Sequence, residues 1–180
     1  ACGKALGSIT DNSSLLKKTY VSKFMFPLAK ITSSLVDCLF SLGAFLIVII
    51  FTRSPFYWTM LLFPFIFLQA YIFACGLGFF LAQLHVFFRD TRYIWNAVTT
   101  AWMYCSAIFY PIDMLPDWLK LLVNYFNPLY VYIKQFRCIA HQGVMPDLTT
   151  IGLGFLYAFF FFGLGVLCFK KNQDKFILYI

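Results

Sequence analysis

The chain has 180 residues, of which 62% are apolar, 22% aromatic and only 12% charged. Soluble domains contain about 45–50% apolar and about 25% charged residues, so this chain has too few polar side chains to cover a water-facing surface. The composition excludes a soluble globular domain, a disordered segment, a nucleic-acid-binding module and a secreted disulfide scaffold. It predicts a membrane protein, in which the net charge of +7 sets the topology.

The first predicted element is a short helix that precedes the first apolar run. Residues 11–14 (Asp, Asn, Ser, Ser) are a favourable helix start, and Pro27 separates this helix from the first span. Residues 11–26 are therefore predicted to form a cytoplasmic segment. Two hypotheses stay open for it: an interfacial anchor whose lysines lie near anionic headgroups, or a docking helix for a cytoplasmic partner.

Four windows of the chain are long and apolar enough to cross a bilayer, which takes about 20 residues in a helix. No alternation with a period of two runs through them, so the sequence predicts an all-α, polytopic membrane helix bundle. The predicted spans are residues 31–52, 59–84, 93–110 and 148–169.

One carboxylate, Asp37, lies inside the first predicted span. We place it about six residues from the span's start, which is about 9 Å along a helix. A charge at the centre of a membrane helix costs about 2.5–3.5 kcal/mol on insertion scales. Asp37 is therefore expected to face protein or water, as a polar contact between helices or as part of a translocation path.

The connection between the third and fourth spans does not have the composition of an ordinary loop. Residues 116–141 remain rich in large apolar side chains at helical spacing, and Asn127-Pro128 ends one helix and starts the next. Asn127 is the predicted N-cap of the second helix. The segment is predicted to be an outer helical hairpin, and two interpretations stay open: a re-entrant gate or a pair of helices in the headgroup region.

The basic residues are distributed unequally between the two sides of the bundle. One side carries ten of them: Lys4, Lys17, Lys18, Lys23, Lys30, Arg89, Arg92, Lys170, Lys171 and Lys175. The other carries four: Arg53, Lys120, Lys134 and Arg137. The positive-inside rule predicts a multi-pass protein of the cytoplasmic membrane with both ends of this chain in the cytoplasm.

No motif for covalent chemistry or nucleotide binding occurs in the sequence. It contains no GxxxxGK[ST], GxSxG or HExxH, only two histidines, and six cysteines without metal-binding spacing. We therefore predict no catalytic residue, no metal site, no cofactor in this chain and no nucleic-acid partner.

Aromatic side chains cluster at the outer end of the third predicted span: Trp102, Tyr104, Phe109 and Tyr110. Tryptophan and tyrosine are common at any membrane interface, and that explains most of them. The alternative is a path for a glycan, because the apolar faces of sugar rings stack on aromatic side chains.

In their order, several motifs resemble the ABC-2 type permeases that export polysaccharide. Residues 12–20 resemble that family's cytoplasmic Asn-x-x-Leu-[IV]-Lys-Lys-x-x-[FY]-Pro segment, and residues 88–93 (Phe-Arg-Asp-Thr-Arg-Tyr) resemble its Phe-Arg-Asp loop. Residues 108–111, 115–116 and 127–129 match the family's outer region in outline, and residues 169–176 match its closing motif. At residues 105–107 the chain has Cys-Ser-Ala where the family frequently has Thr-Pro.

This resemblance implies a permease subunit that dimerises with itself and pairs with a separate ABC ATPase, which binds ATP and Mg²⁺. Family members usually have six spans in a type V exporter-like domain, so a chain that starts at Ala1 with four spans is expected to lack the amino-terminal ones. The substrate implied is a lipid-linked glycan such as O-antigen, capsule or teichoic acid. The implied function is its export across the cytoplasmic membrane.

The resemblance also assigns two groups of site residues. Coupling to the ATPase is expected from Asn12, Ser13, Leu15, Leu16, Lys17, Lys18, Tyr20, Arg89 and Asp90. The translocation path or gate is expected to include Asp37, Trp102, Tyr104, Phe109, Tyr110, Asn127, Pro128, Lys134 and Arg137. Two other functions remain open: an ABC-2 exporter of drugs or other small hydrophobic molecules, and a membrane scaffold that transports nothing.

Overall fold

The computed structural model describes residues 1–12, 22–52, 57–110, 112, 115–173 and 176, with only the backbone of residues 141–142. Regular structure in these ranges is helical throughout. The seven α-helices are α1 (Cys2–Leu6), α2 (Met25–Phe51), α3 (Phe63–Phe87), α4 (Thr91–Cys105), α5 (Asp117–Phe126), α6 (Pro128–Arg137) and α7 (Leu148–Asn172). A 3₁₀ turn, Trp58–Leu62, leads into α3, and a π-helical turn, Cys138–Gln142, follows α6.

Among the described helices, three are long and apolar enough to cross a membrane. They are α2, α3 together with its 3₁₀ turn, and α7. The predicted all-helical membrane bundle is therefore confirmed, but the expected four spans are not all present as full-length helices. The predicted span 93–110 contains α4, which has 15 residues and ends at Cys105. That length is about 22 Å, less than the roughly 30 Å of a bilayer core.

Helix α4 ends early because of its backbone conformation, which the sequence alone does not predict. The Ser106 hydroxyl donates to the Trp102 carbonyl at 2.7 Å, and Ala107 adopts a φ of +48°. A non-glycine residue in this left-handed region is strained and cannot continue a right-handed helix. The break forms at Ser106 and Ala107 without a proline.

The first span begins earlier than the sequence predicted. Helix α2 starts at Met25 and carries Pro27 in its first turn, where the missing N–H of proline has no helical partner to lose. Asp37 is therefore twelve residues into the helix, about 18 Å from its start. This places the carboxylate near the middle of α2 instead of near its end.

Helix α3 is the centre of the bundle, with α7 against one side and α1 and α2 against another. Glycines make the α3–α7 contact close: a Cβ on Gly165 would meet the backbone of Gly76, and a Cβ on Gly76 would meet the backbone of Phe161. A Cβ on Gly78 would meet the Ile31 side chain of α2. Small residues of this kind let membrane helices approach each other through backbone contact.

The two ends of the bundle differ in composition. We call the end at which α2 begins and α3 and α7 finish the basic end, because Lys23, Arg89, Arg92, Lys170 and Lys171 lie there. The opposite end, at which α2 finishes and α7 begins, is the hairpin end, because α5 and α6 reach it.

The α5–α6 hairpin packs along the spans. The Tyr132 hydroxyl donates to the Gly154 carbonyl of α7 at 2.9 Å, and its ring lies 5.7 Å from that of Phe73 in α3. The Tyr157 hydroxyl of α7 donates to the Tyr125 carbonyl of α5. Gly154 and Tyr157 lie about 9 and 14 Å along α7 from its first residue. The hairpin therefore reaches from the hairpin end towards the middle of the bundle.

Candidate functional site

Asn127 is the polar centre of the contact between α4 and the hairpin. Its side-chain oxygen accepts from the Leu129 and Tyr130 amides at 3.1 and 3.4 Å, as an N-cap residue does. The same oxygen accepts from the Trp102 indole N–H at 2.9 Å. Its Nδ2 donates to the Ser106 hydroxyl at 3.0 Å, so one buried amide caps α6 and holds it against the end of α4.

A cavity of about 590 Å³ opens between α4 and α5 beside this amide. Its walls include Trp102, Tyr110, Phe126 and Pro128, with leucines of α5 completing the lining. The structure therefore brings together four residues predicted for the path or gate: Trp102, Tyr110, Asn127 and Pro128. We call this space the gate cavity.

The other predicted aromatic residues lie outside the gate cavity. Tyr104 and Phe109 are 59% and 68% exposed, and their rings lie 6.1 Å apart on the outside of the bundle. Tyr110 connects the two groups, because its hydroxyl donates to the Tyr104 carbonyl at 2.9 Å. Exposed aromatic side chains in this position are typical of a membrane interface.

The two predicted cations of the hairpin point to different neighbours. The Lys134 ammonium lies 3.5 Å from the Asn124 side-chain oxygen and stays within the hairpin. The Arg137 Nη2 donates to the Ala107 and Ile108 carbonyls at 3.0 and 3.1 Å. Arg137 therefore ties the end of α6 to the strained turn that follows α4.

Sequence reasoning missed a buried polar cluster between α3, α6 and α7. The Gln135 Nε2 donates to the Gln69 Oε1 at 3.3 Å and to the Thr150 carbonyl at 3.1 Å, and both amides are fully buried. Gly154 makes room for them, since a Cβ there would meet both side chains. The signal available was Gln69, a polar residue in the uncharged helix α3, but that it meets Gln135 of α6 depends on packing.

Asp37 has a partner that the sequence did not predict. Its carboxylate accepts from the Lys4 ammonium of α1 at 2.6 Å, with both side chains more than half exposed in this chain. Lys4, which the charge count placed in the cytoplasm, instead lies beside the middle of α2. Asp37 is not among the residues that line the gate cavity.

At the basic end, the structure brings two predicted coupling segments together. Asp11 forms an ion pair with Arg92 at 3.9 Å, which sets the turn containing Asn12 beside the α3–α4 connection that contains Arg89 and Asp90. Asp90 is the N-cap residue of α4, without a side-chain capping bond. The remaining predicted coupling residues lie outside the described residues: Ser13, Leu15, Leu16, Lys17, Lys18 and Tyr20.

The described side chains of the candidate site contact one another through packing and hydrogen bonds. Within the described ranges, no three histidine, cysteine or acidic side chains come close enough to hold a metal ion. Of the cysteines, Cys75 is buried in the α3 core, and Cys38 and Cys105 are exposed on separate helices. The site consists of hydrogen bonds that position the α5–α6 hairpin within the helix bundle.

Apolar helices packed around α3, with a hairpin against them, are the architecture of a membrane-embedded helical domain. Residues 6–141 match the ABC-2 type transporter family, and the chain belongs to that family. The resemblance found in the motifs is thereby confirmed.

The chain is also similar to curated permeases. It is 25% identical over 151 residues to the O-antigen export system permease protein RfbA of Myxococcus xanthus, a match that covers 83% of this chain and 58% of the relative. It is 25% identical over 177 residues to the protein of the same name from Klebsiella pneumoniae, covering 96% and 66%. The chain thus spans about three fifths to two thirds of the length of these relatives.

Proposed function

We propose that this chain is the permease subunit of an ATP-driven exporter that moves a lipid-linked polysaccharide across the cytoplasmic membrane. The relatives that carry the O-antigen export name support the class of cargo. The observation that carries the proposal is the gate cavity, a space of about 590 Å³ with aromatic walls beside Asn127, which bonds the start of α6 to the end of α4. Aromatic walls let sugar rings slide, because stacking is not directional in the way that hydrogen bonds are.

The proposed mechanism uses the hairpin as a gate. Asn127 holds the tip of the hairpin to the end of α4 through three hydrogen bonds, to Trp102, Cys105 and Ser106. Movement of α4 relative to α3 pulls on these bonds and changes the width of the gate cavity, as expected when packed helices shift as rigid bodies. Lys134 and Arg137 attract the anionic head group on the hairpin side.

Energy for this movement is proposed to come from a separate ABC ATPase, which binds ATP and Mg²⁺, on a homodimer of the permease. The basic end is the docking side, with the α3–α4 connection and the end of α7 in the cytoplasm, because the basic residues concentrate there. The segment from residue 12 to residue 20 is the coupling segment, and Arg89 and Asp90 of the α3–α4 connection complete the docking surface.

The gate proposal is tested by export in cells whose own permease gene is deleted and replaced by variants. Trp102→Ala removes a wall of the gate cavity and the bond to Asn127, and we expect at least a tenfold loss of surface polysaccharide. Trp118→Ala is the matched control, because Trp118 is 63% exposed on α5 and does not line the cavity. Equal export by the two variants at equal membrane levels would contradict the gate.

The docking proposal is tested by co-purification. Lys17→Glu with Lys18→Glu reverses two charges of the coupling segment, and we expect the ATPase to be lost from the purified permease. Lys170→Glu with Lys171→Glu is the control, since it makes the same charge change at the same end of the bundle. Unchanged recovery of the ATPase with the first pair would contradict docking through residues 12–20.

A further inference from the structure

A second cavity lies at the hairpin end, on the far side of α6 from the gate cavity. It has a volume of about 480 Å³ and opens between the last two turns of α2 and the end of α6. Its walls include Val48, Ile49 and Met60 on one side and Ile133 and Phe136 on the other. Volumes of this size are typical of sites for small organic ligands.

The walls select an apolar occupant. The Thr52 hydroxyl at the mouth donates to the Val48 and Ile49 carbonyls of its own helix, and the other α2 residues that line the cavity are apolar. Among the described residues that line the cavity only Thr52, Tyr57 and Arg137 have polar side chains, so a sugar would leave most of its hydroxyls without partners, and each such group costs free energy when it is buried. A hydrocarbon chain leaves none.

The mouth of the cavity supplies a positive charge. Arg137 is the one charged side chain among the described residues that line it. Its Nη2 is held by the Ala107 and Ile108 carbonyls, which fix the guanidinium in place but do not neutralise it. Guanidinium groups bind phosphate oxygens with strong, charge-assisted hydrogen bonds.

The position of this charge matches the geometry of a lipid. Arg137 lies at the level where α2 ends, near Thr52 and Tyr57, while the apolar walls extend from there towards the middle of the bundle. In a phospholipid the phosphate stands at the bilayer surface and the acyl chains descend from it. Val48, on the outer face of α2, is 56% exposed, so the cavity is accessible from the bilayer.

We propose that the cavity between α2 and α6 binds an anionic phospholipid of the surrounding bilayer. One acyl chain lies between Val48, Ile49 and Phe136, and the phosphate contacts Arg137. This site is separate from the gate cavity, and it takes Arg137, one of the two cations that the proposed function places near the exported head group, as its phosphate contact. Because Arg137 also holds the strained turn at Ala107, an occupied site would stabilise the connection between α4 and the hairpin.

The test uses native mass spectrometry of the full-length permease, titrated with dioleoyl phosphatidylglycerol or with dioleoyl phosphatidylcholine. The two lipids have the same chains and differ in net charge. We expect the first phosphatidylglycerol to bind about tenfold more tightly, because the choline cation of phosphatidylcholine offsets the attraction of its phosphate to Arg137. Arg137→Gln should remove this preference, and Arg137→Lys should keep most of it.

Lys134→Gln is the matched control, because Lys134 is on the same helix but bonds to Asn124 instead of lining the cavity. It should keep the preference for phosphatidylglycerol. Val48→Trp fills the exposed mouth and should weaken binding of both lipids by about tenfold, without disturbing a buried residue. This variant keeps the test decisive if Arg137→Gln does not fold.

Three outcomes would overturn the proposal. The first is an unchanged lipid preference in Arg137→Gln, and the second is an equal loss in Lys134→Gln, which would indicate general surface charge. The third is displacement of phosphatidylglycerol by undecaprenyl phosphate at a tenfold lower concentration, which would assign the site to a carrier lipid. Export is not the readout, so a failure of the proposed function leaves these results interpretable.

Discussion

Helices α2 and α3 have nearly the same length, yet they occupy opposite environments. Helix α3 buries 14 of its 25 residues, whereas α2 buries only Pro27, Ile31 and Ile49 of its 27. The most apolar 18-residue stretch of the two helices nevertheless lies in α2, the exposed one. In a soluble protein the most apolar stretch would be expected in the buried helix instead.

This difference in burial between α2 and α3 indicates what drives helix packing in a bilayer. Lipid chains are as apolar as leucine, so burying leucine against protein gains little, and association depends on close backbone contact and polar bonds. Helix α3 has the means for both, with Gly76 and Gly78 for close approach and Gln69 for a polar bond. Helix α2 is attached mainly at its ends, through Ile31 near the basic end and Ile49 near the hairpin end.

The largest expected effect comes from breaking the α3–α7 contact. In Gly165→Leu the new side chain meets the Gly76 backbone, which cannot move aside as a side chain can. We expect a loss of more than about 3 kcal/mol and little folded protein on size-exclusion chromatography. Gly163→Leu is the control, since a Cβ there meets nothing within 4 Å. Equal yields of the two variants would contradict the close α3–α7 packing.

The second prediction compares one residue type in the two helices. Ile66 of α3 is 5% exposed and Ile50 of α2 is 71% exposed. We expect Ile66→Ala to destabilise the protein by about 2–4 kcal/mol through a cavity, and Ile50→Ala by less than about 0.5 kcal/mol. Thermal unfolding in one detergent measures both. A loss of stability for Ile50→Ala greater than this expected value would indicate that protein covers that face of α2.

The third prediction concerns the buried amides. Gln135→Leu leaves Gln69 without its partner and should cost about 1 kcal/mol, the scale of a hydrogen bond between membrane helices. Gln69→Leu combined with Gln135→Leu removes both polar groups, so the double variant should regain the stability of the parent protein. Additive losses in this double-mutant cycle would show that the two side chains do not interact.

The smallest effect is expected at the ion pair of α1 and α2. Lys4→Met leaves the Asp37 carboxylate alone near mid-span, and the thermal midpoint should fall by a few degrees. The exchange Lys4→Asp with Asp37→Lys should restore most of it, because the pair is partly exposed and worth about 1 kcal/mol or less. If the exchange variant is no more stable than Lys4→Met, Asp37 acts through another contact.

Much of the local structure could be predicted from the sequence. Asn127 followed by Pro128 predicted a helix start, and the amide does cap α6. The end of α4 could not be predicted, because the break depends on a left-handed Ala107 in a stretch without glycine or proline. The bonds that hold this turn come from Arg137, thirty residues away in the chain.

The gate cavity was only partly predictable. Trp102, Tyr110, Asn127 and Pro128 were expected to contribute to one path, and they do line one cavity. Tyr104 and Phe109 belong to the same aromatic cluster in the sequence but lie on the outside of the bundle, since residues close together in the chain can point in different directions. The roles of these residues in transport stay predictions.

Composition, apolar run length and charge distribution by themselves determined that this chain is a helical membrane protein with a basic end. Only the tertiary structure decided that α3 is central, that Gln69 meets Gln135, and that Lys4 lies beside Asp37. The reason is that a bilayer and a protein interior are equally apolar. Hydropathy therefore separates membrane from water, while the shape and polar bonds of the folded chain separate protein from lipid.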